Sequence, residues 1–386
     1  MLLGTNGKGS VCEMLTNVLI HSGYKVGKFI SPHLIRFNDG ICINNKEIED
    51  SDVAEILDEL SKVIEEYNSK NAVKVKWFEA ITALAYIYFE RKNVDIAIIE
   101  VGLGGKTDCT NIITPLISII ANIGYDHMDI LGNTIEEITR HKAGIIKEKG
   151  DTVAVNQKKE ITDIIKEVCK EKNNKLHFVE KEEITDYRYD NEFQIFSYKG
   201  YKDVKINLKG YSQTLNASEA LATIDILKEK GFKIPDDAIK VGMSTVIHRG
   251  RMEIISTEPL IVFDGGHNEN AINNLRENLE RYYKEYKKKT YIISILNTKD
   301  YKTIIKNLCM DKNATFIFTN GVNQKTYVNN KDLYDEAKKY VDEGKLLRRE
   351  LQDAINMAKE EYEDNLILIV GSFYVYKRTC EILNNI

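Results

Sequence analysis

Proline is scarce in this chain, four in 386 residues, and tryptophan occurs once. So few prolines exclude a proline-rich linker and make Pro32, in Ser31-Pro32-His33, conspicuous as a rigid turn. No apolar run approaches the ~20 residues of a membrane helix. The opening MLLGTNGKGS lacks the long apolar stretch of a secretory leader. Neither sign of charge dominates: 54 basic against 59 acidic side chains leave a net charge of −5. That excludes a broad cationic surface for nucleic acid, so any basic function is local. The six cysteines, at 12, 42, 109, 169, 309 and 380, form no Cys-x-x-Cys pair and read as buried, reduced thiols of a cytoplasmic protein. There is no repeat of solenoid period and no low-complexity linker.

What is present is ordinary for a soluble enzyme, 43% apolar and 29% charged, with length enough for two or three domains. The chain is organised around Gly4-Thr5-Asn6-Gly7-Lys8-Gly9-Ser10. Two leucines precede this stretch, and Val11, Met14, Leu15, Val18 and Leu19 follow on one helical face. Strand, glycine turn and helix start together make an anion site. Glycines let the backbone approach phosphate oxygens, and the helix N-terminus offers N–H groups and a partial positive charge. Lys8 can reach the outer phosphates, with Ser10 near a bound magnesium. The spacing departs from the general phosphate loop: only Thr5 and Asn6 separate Gly4 from Gly7, and Gly9 stands between Lys8 and Ser10. A glycine turn capping an ordinary helix is the alternative.

Apolar runs over 25–30, 94–101, 116–123 and 152–155 predict strands, the middle two fully buried and parallel. Helical spacing covers 50–67, opened by Asp50 or Ser51 as N-cap, and 77–91, a helix that should be well buried. A third helix covers 134–146. The segment 41–48 reads as a hairpin around Asn44-Asn45. Residues 156–210 are more polar, with strand-like 193–198 and 204–208 closing the first domain. Helices follow at 217–230 and 236–246. Strands then recur near 252–256, 260–264, 290–296, 314–318 and 366–370. The expected class is α/β in two domains with mostly parallel sheets and helices on both faces. Residues 1–247 form a phosphate-loop domain, and 248–386 a smaller doubly wound one.

In open parallel sheets ligands gather at the carboxyl ends of strands. Ser31 ends one apolar run, Glu100 another, and His127 follows a third in Gly124-Tyr125-Asp126-His127. Glu100 is either a strand-end charge facing solvent or a carboxylate neutralised by magnesium, with Ser31 and His127 completing the site; a histidine is an unusual ligand for that ion. Lys142, in His141-Lys142-Ala143-Gly144, reads from periodicity as a solvated helix lysine. Gly102-Leu103-Gly104-Gly105 lacks the spacing of a dinucleotide fingerprint. Asp264 follows an apolar strand and either accepts from a ribose or adenine group or caps a glycine turn. Trp77-Phe78-Glu79 opens a helix, where core aromatics are the simpler reading.

Taken together, GTNGKGS at 4–10, SPHL at 31–34, GLGG with its following Asp108 and TN to 111, and NIGYDHMDILG at 122–132 resemble the folylpolyglutamate synthase and dihydrofolate synthase family of the Mur ligases. So do HKAGIIK at 141–147, GRMEI at 250–254, DGGHN at 264–268 and GSFY at 371–374. The resemblance runs nearly the whole chain and implies an ATP-dependent ligase joining L-glutamate to a folate or pteroate through an acyl phosphate. It implies ATP contacts at Thr5, Asn6, Gly7, Lys8, Gly9, Ser10, Asn216, Arg251 and Asp264. Ser31, Glu100 and His127 would bind one or two magnesium ions, and Lys142 would be carried as a carbamate. His267 matches a family histidine. The pterin would lie near Trp77, Phe78, Glu79, Gly102, Leu103, Gly104, Gly105 and Asp108. A cytoplasmic monomer without nucleic-acid or membrane partners is expected. Two alternatives stand: a non-catalytic nucleotide-binding relative, or a Mur-type ligase for another carboxylate. Family members carry a few dozen residues before the phosphate loop, whereas only Met1-Leu2-Leu3 stand here, so the first strand is expected to be truncated and poorly supported. Gly265-Gly266, Thr107 and Cys109 also depart from the usual residues.

Overall fold

The computed structural model describes residues 1–190, 192–322, 325–360 and 365–384. Contacts divide the chain into two compact units, Met1–Asn207 with Ser212–Ile247, and Leu208–Tyr211 with His248–Ile386. Among the described residues no helix is long and apolar enough to cross a membrane.

The first unit opens with β1 (Leu2–Leu3) and α1 (Lys8–His21), then β2 (Val26–Phe29), β3 (Ile41–Ile43) and β4 (Lys46–Glu47). Next come α2 (Asp50–Lys70), α3 (Trp77–Arg91), β5 (Ile96–Ile99) and β6 (Ile117–Ile120). They are followed by α4 (Met128–Leu131), α5 (Ile135–Lys142), β7 (Asp151–Val155), α6 (Lys159–Glu171) and β8 (Lys175–Val179). The unit ends with β9 (Ile184–Tyr189), β10 (Gln194–Tyr198), β11 (Tyr201–Ile206), α7 (Ser212–Glu229) and α8 (Asp236–Ser244).

Its strands run in the orders β4-β3-β2-β5 and β1-β6-β7-β8, and a parallel bridge from Leu2 to Glu100 links the two sets. Short as it is, β1 is paired on both sides. Leu2 and Leu3 lie beside Ile119 and Ile120, and the Val101 N–H donates to the Leu2 carbonyl at 2.9 Å. Both leucines are buried, so this strand is central.

Helix α1 is buried well beyond one face. Cys12, Glu13 and Thr16 are buried with the expected aliphatics, because α1 packs on the strands as well as on α7 and α8. A carboxylate there needs an answer, and Lys28 of β2 supplies it. Its Nζ lies 2.8 and 2.7 Å from the two Glu13 oxygens and 3.0 Å from Asn45 Oδ1 of the hairpin turn. Removing one partner of a buried pair strands the other. Lys28→Met is therefore expected to cost about 3 kcal/mol of stability, read as a lowered denaturation midpoint.

Several expectations need correction. The first residue of α2 is Asp50 itself, with Glu49 in the N-cap position and no side-chain cap. Helix α3 is buried along Ile81, Leu84, Ala85, Tyr88 and Phe89, but Trp77 is 62% exposed. The helix expected over 134–146 is α5 followed by a 3₁₀ turn, Ala143–Ile145. The polar stretch 156–210 holds a whole amphipathic helix, α6, and strand β8 before an antiparallel meander in the order β11-β10-β9. That meander and the β2–β3–β4 pairing are antiparallel, whereas β1–β6, β2–β5, β6–β7 and β7–β8 pair parallel, as expected of a mostly parallel half.

In the second unit, β12 (Glu253–Thr257), β13 (Leu260–Asp264), α9 (Glu269–Tyr282), β14 (Lys288–Ile293), β15 (Thr315–Phe318), β16 (Leu346–Arg348) and β17 (Asn365–Val370) form one sheet with its helices. The strand order is β12-β13-β17-β14-β15-β16, with β12 antiparallel and the rest parallel. The segment Leu208–Tyr211 lies on α9: the Gly210 N–H reaches the Tyr282 hydroxyl at 3.4 Å, Lys209 Nζ reaches the Tyr283 hydroxyl at 3.0 Å, and the Arg281 guanidinium sits 5.6 Å from the Tyr211 ring centre.

Candidate active site

The turn between β1 and α1 is built by local backbone demands. Gly7 has φ 92°, a conformation costly for other residues, and a Cβ there would lie 2.6 Å from Asn216 Oδ1. Asn216, in the first turns of α7, is buried and donates to Gln213 Oε1 at 2.9 Å. The first α-helical bond of α1 runs from Val11 N to Gly7 O, so the N–H groups of Lys8, Gly9 and Ser10 stand at the helix mouth, and no acidic residue occupies that turn. Thr5 fastens the loop to the end of β6. Its N–H donates to Asn122 O at 2.7 Å, and its hydroxyl lies 3.0 Å from both the carbonyl and the N–H of Gly124.

Three sequence-predicted residues come together at the strand ends. Lys8 Nζ donates to Gly4 O at 3.1 Å and lies 3.7 Å from Glu100 Oε1. The other Glu100 oxygen, Oε2, accepts from the Ser31 N–H at 3.3 Å. Glu100 is 5% exposed, so the solvent-facing reading of this carboxylate is wrong: the parallel run that carries it is enclosed, and Lys8 balances its charge. His127 sits on the segment that Thr5 tethers, in the left-handed region with φ 51°, at the start of α4. Its side chain is 43% exposed, and Nε2 lies 3.8 Å from Asp126 Oδ2.

The reading of Lys142 as a solvated lysine also fails. It is 5% exposed, and its Nζ lies 3.4 Å from Gly4 O, the same carbonyl that Lys8 uses. Burial first, and the neighbouring Lys8 second, lower its pKa to about 7. A large share of this amine is therefore neutral, hence nucleophilic, near neutral pH.

The glycine-rich loop packs tightly over this lysine. A Cβ on Gly105 would come within 2.7 Å of Lys142 O, and the Lys106 N–H donates to His141 O at 2.9 Å. Asp108 shapes the loop from inside, accepting from Leu103 N at 2.7 Å and from Thr110 N at 2.9 Å. Phe78 lies against Gly102 and stacks on Phe29 at 5.9 Å, whereas Glu79 is exposed and accepts from the Lys76 N–H that precedes its own helix, at 2.7 Å. Gly104 faces His141, a ring that sequence reasoning passed over.

In the second unit both Asp264 oxygens take backbone donors, Oδ2 from Met252 at 3.0 Å and Oδ1 from Gly266 at 2.8 Å. Burial pushes this carboxyl up, partly offset by Arg251. The Arg251 guanidinium lies 4.5 Å over the Phe373 ring, and His267 meets the same ring edge-on while its Nδ1 lies 2.8 Å from Gly265 O. The GSFY stretch thus supplies a platform that the motif alone did not reveal.

Among the described residues no group of three or more His, Cys, Asp or Glu gathers for a metal. Magnesium does not require one, since it keeps several waters and takes one or two carboxylates plus phosphate oxygens. The enclosed Glu100 with Ser31 beside it fits that demand.

The Mur ligase middle domain family matches residues 3–224, and the dihydrofolate synthetase C-terminal domain family matches residues 251–383. The chain is 32% identical to the dihydrofolate synthase/folylpolyglutamate synthase of Bacillus subtilis (strain 168), over 96% of its own length and 87% of the relative's. The chain belongs to the dihydrofolate synthase/folylpolyglutamate synthase family. As a member of that family it is a ligase, and the readings as a non-catalytic module or as a ligase for an unrelated carboxylate are not favoured. The folylpolyglutamate synthase of Lacticaseibacillus casei is likewise 32% identical, over 96% of this chain and 86% of that one. A solved structure of Escherichia coli FolC in complex with DHPP and ADP superposes with a TM-score of 0.85 at 25% identity, covering 100% of this chain and 88% of that chain. The α/β architecture is therefore the family's.

Proposed function

We propose that this ligase uses ATP to add L-glutamate to a folate or dihydropteroate carboxylate. The observation that carries the reading is the convergence of Lys8, Glu100, Ser31 and Lys142 on a glycine turn at one helix N-terminus. Residues 1–247 serve as the nucleotide domain and 248–386 as the glutamate-ligase domain. Thr5 to Ser10 cradle the phosphates, with Asn216, Arg251 and Asp264 as further nucleotide contacts and His267 as a catalytic imidazole. Ser31, Glu100 and His127 would hold magnesium, which when bound neutralises phosphate charge and polarises the phosphorus–oxygen bond. Trp77, Phe78, Glu79 and the loop from Gly102 to Asp108 would border the pterin. The enzyme acts in the cytoplasm as a monomer.

In the reaction a substrate carboxylate oxygen attacks the γ-phosphorus of ATP and ADP leaves, giving an acyl phosphate. The glutamate amine attacks the acyl carbon, the carbon–oxygen bond breaks with its electrons on phosphate, and the amine loses a proton. Lys8 offsets charge on the transferring group. Neutral Lys142 can add to carbon dioxide through Nζ and release a proton, becoming an anionic carbamate able to hold a second magnesium.

Incubation with magnesium, ATP and glutamate, offering dihydropteroate and tetrahydrofolate separately, should give products one glutamyl residue heavier, with ADP formed in step. ATP hydrolysis indifferent to both pterins would overturn the reading. Stripping carbon dioxide from the buffer should slow wild-type turnover and leave Lys142→Met, already slow, unaffected.

A further inference from the structure

Gln157 lies two residues beyond the end of β7, at the same edge of the sheet as Ser31 and Glu100. Its backbone is fixed: the N–H donates to Thr162 Oγ1 at 3.2 Å, and the buried Thr162 in turn donates to Asn156 Oδ1 at 2.9 Å. From that anchor the side-chain Oε1 accepts from the Ile123 N–H at 2.9 Å. The peptide groups on either side of Ile123 are hydrogen-bonded to the phosphate loop. Asn122 O accepts from Thr5 and Asn6, and both Gly124 backbone groups meet the Thr5 hydroxyl. The segment 122–124 is therefore clamped between Thr5 on one side and Gln157 on the other, three residues before His127. The Gln157 Nε2 is buried and has no partner among the described residues, so the acceptor oxygen is what the side chain contributes.

We propose that Gln157 is a positioning residue for phosphoryl transfer, holding the 122–127 segment against the phosphate loop through the Ile123 N–H. The proposal rests on the function inferred above. Without the acceptor a buried N–H is left unmade, the segment relaxes, and Thr5 and His127 shift together. The nucleotide side of the reaction suffers, while the pterin loop from Gly102 to Asp108, which Asp108 shapes from within, does not.

The test compares Gln157→Met, similar in size but without the acceptor, with Gln157→Glu, which keeps it. For Met the KM for magnesium-ATP should rise about ten- to a hundredfold, with the folate KM within about twofold of wild type. Glu should recover to within about threefold of wild type. An unchanged ATP KM for Met, an equal rise in folate KM, or Glu falling as far as Met would each overturn the proposal. If the Met variant is unfolded at the assay temperature, Thr162→Val, which releases the backbone of Gln157, should show the same selective rise, and an unchanged ATP KM there also overturns it. ADP titration by calorimetry separates the two inferences. A wild type that makes no glutamyl product sinks the proposed function, while weaker ADP binding by Met than by Glu still reads out the positioning.

Discussion

Lys8→Met should lower ligation about a thousandfold, the size of effect seen when a charge-stabilising donor is removed from a transfer site. Lys8 Nζ is held 3.1 Å from Gly4 O and 3.7 Å from Glu100, with a side chain 20% exposed, so it is aimed before any nucleotide arrives. Methionine keeps the aliphatic stem and removes only the cation. The loss should therefore fall on kcat, with the folate KM nearly unmoved. Glu100 loses its counter-charge in the same variant, so thermal unfolding is measured alongside to separate chemistry from folding. Lys8 is also the second cause, after burial, that depresses Lys142. With Lys8 gone, Lys142 should stay protonated to higher pH, and the rise of carbamate with pH should move upward. Wild-type turnover in this variant, or an unmoved Lys142 titration, would contradict the assignment.

The largest expected change in stability lies elsewhere, at Glu219 in α7. It is 0% exposed, both carboxylate oxygens lack a hydrogen-bond partner among the described residues, and burial pushes its pKa up to about 8. The sign follows from proton binding. Below the ordinary value of 4.5 both the folded and the unfolded states hold the proton. As pH rises from there to about 8 the unfolded chain ionises first, and stability is lost across that window. The difference of about 3.5 pH units at 1.36 kcal/mol each amounts to about 5 kcal/mol. Glu219→Leu removes the ionisation and keeps the packing. Urea midpoints for the two proteins should be similar near pH 4.5, diverge steadily in favour of leucine, and reach a constant gap above pH 8. A gap independent of pH would show that the carboxyl is not buried as described. Glu219 stands one turn beyond Asn216, which backs Gly7, so nucleotide affinity of the wild type should weaken as pH rises through about 8, where the folded-state carboxyl ionises, and that of the variant should not.

Much of the first unit was legible because a parallel strand buried on both faces reads as a near-continuous apolar run, as Ile96–Ile99 does and as Ile117–Ile120 does but for Ser118, whose hydroxyl donates to the Ile145 carbonyl. The polar residue ending each run then marks the ligand edge, which is how Ser31 and Glu100 emerged. Gln157 obeys the same rule and was passed over because the run before it is short and begins with Asp151 and Thr152. Helix α6 was hidden by its lysines and glutamates, although Ile161, Ile164, Ile165 and Cys169 keep helical spacing on its buried face. The burial of Lys142 left no local trace. It depends on Gly105 approaching from another part of the chain, and a lysine's own neighbours cannot report that. The Glu13–Lys28 pair is invisible for the same reason: two charges fifteen residues apart become partners only once a helix is laid on a strand.

The capture of Leu208–Tyr211 by α9 means that the backbone passes from one unit to the other three times, at 207/208, 211/212 and 247/248. No single cut divides such a chain into independent halves. A fragment ending at Ile247 would keep Lys209, Gly210 and Tyr211 but lose Tyr283, Tyr282 and Arg281 beneath them, and the complementary fragment would present a bare, tyrosine-rich helix face. Dissection of this ligase into separately expressed pieces would therefore have to transplant those four residues, or replace them with a tether of equal span, for both pieces to fold cleanly.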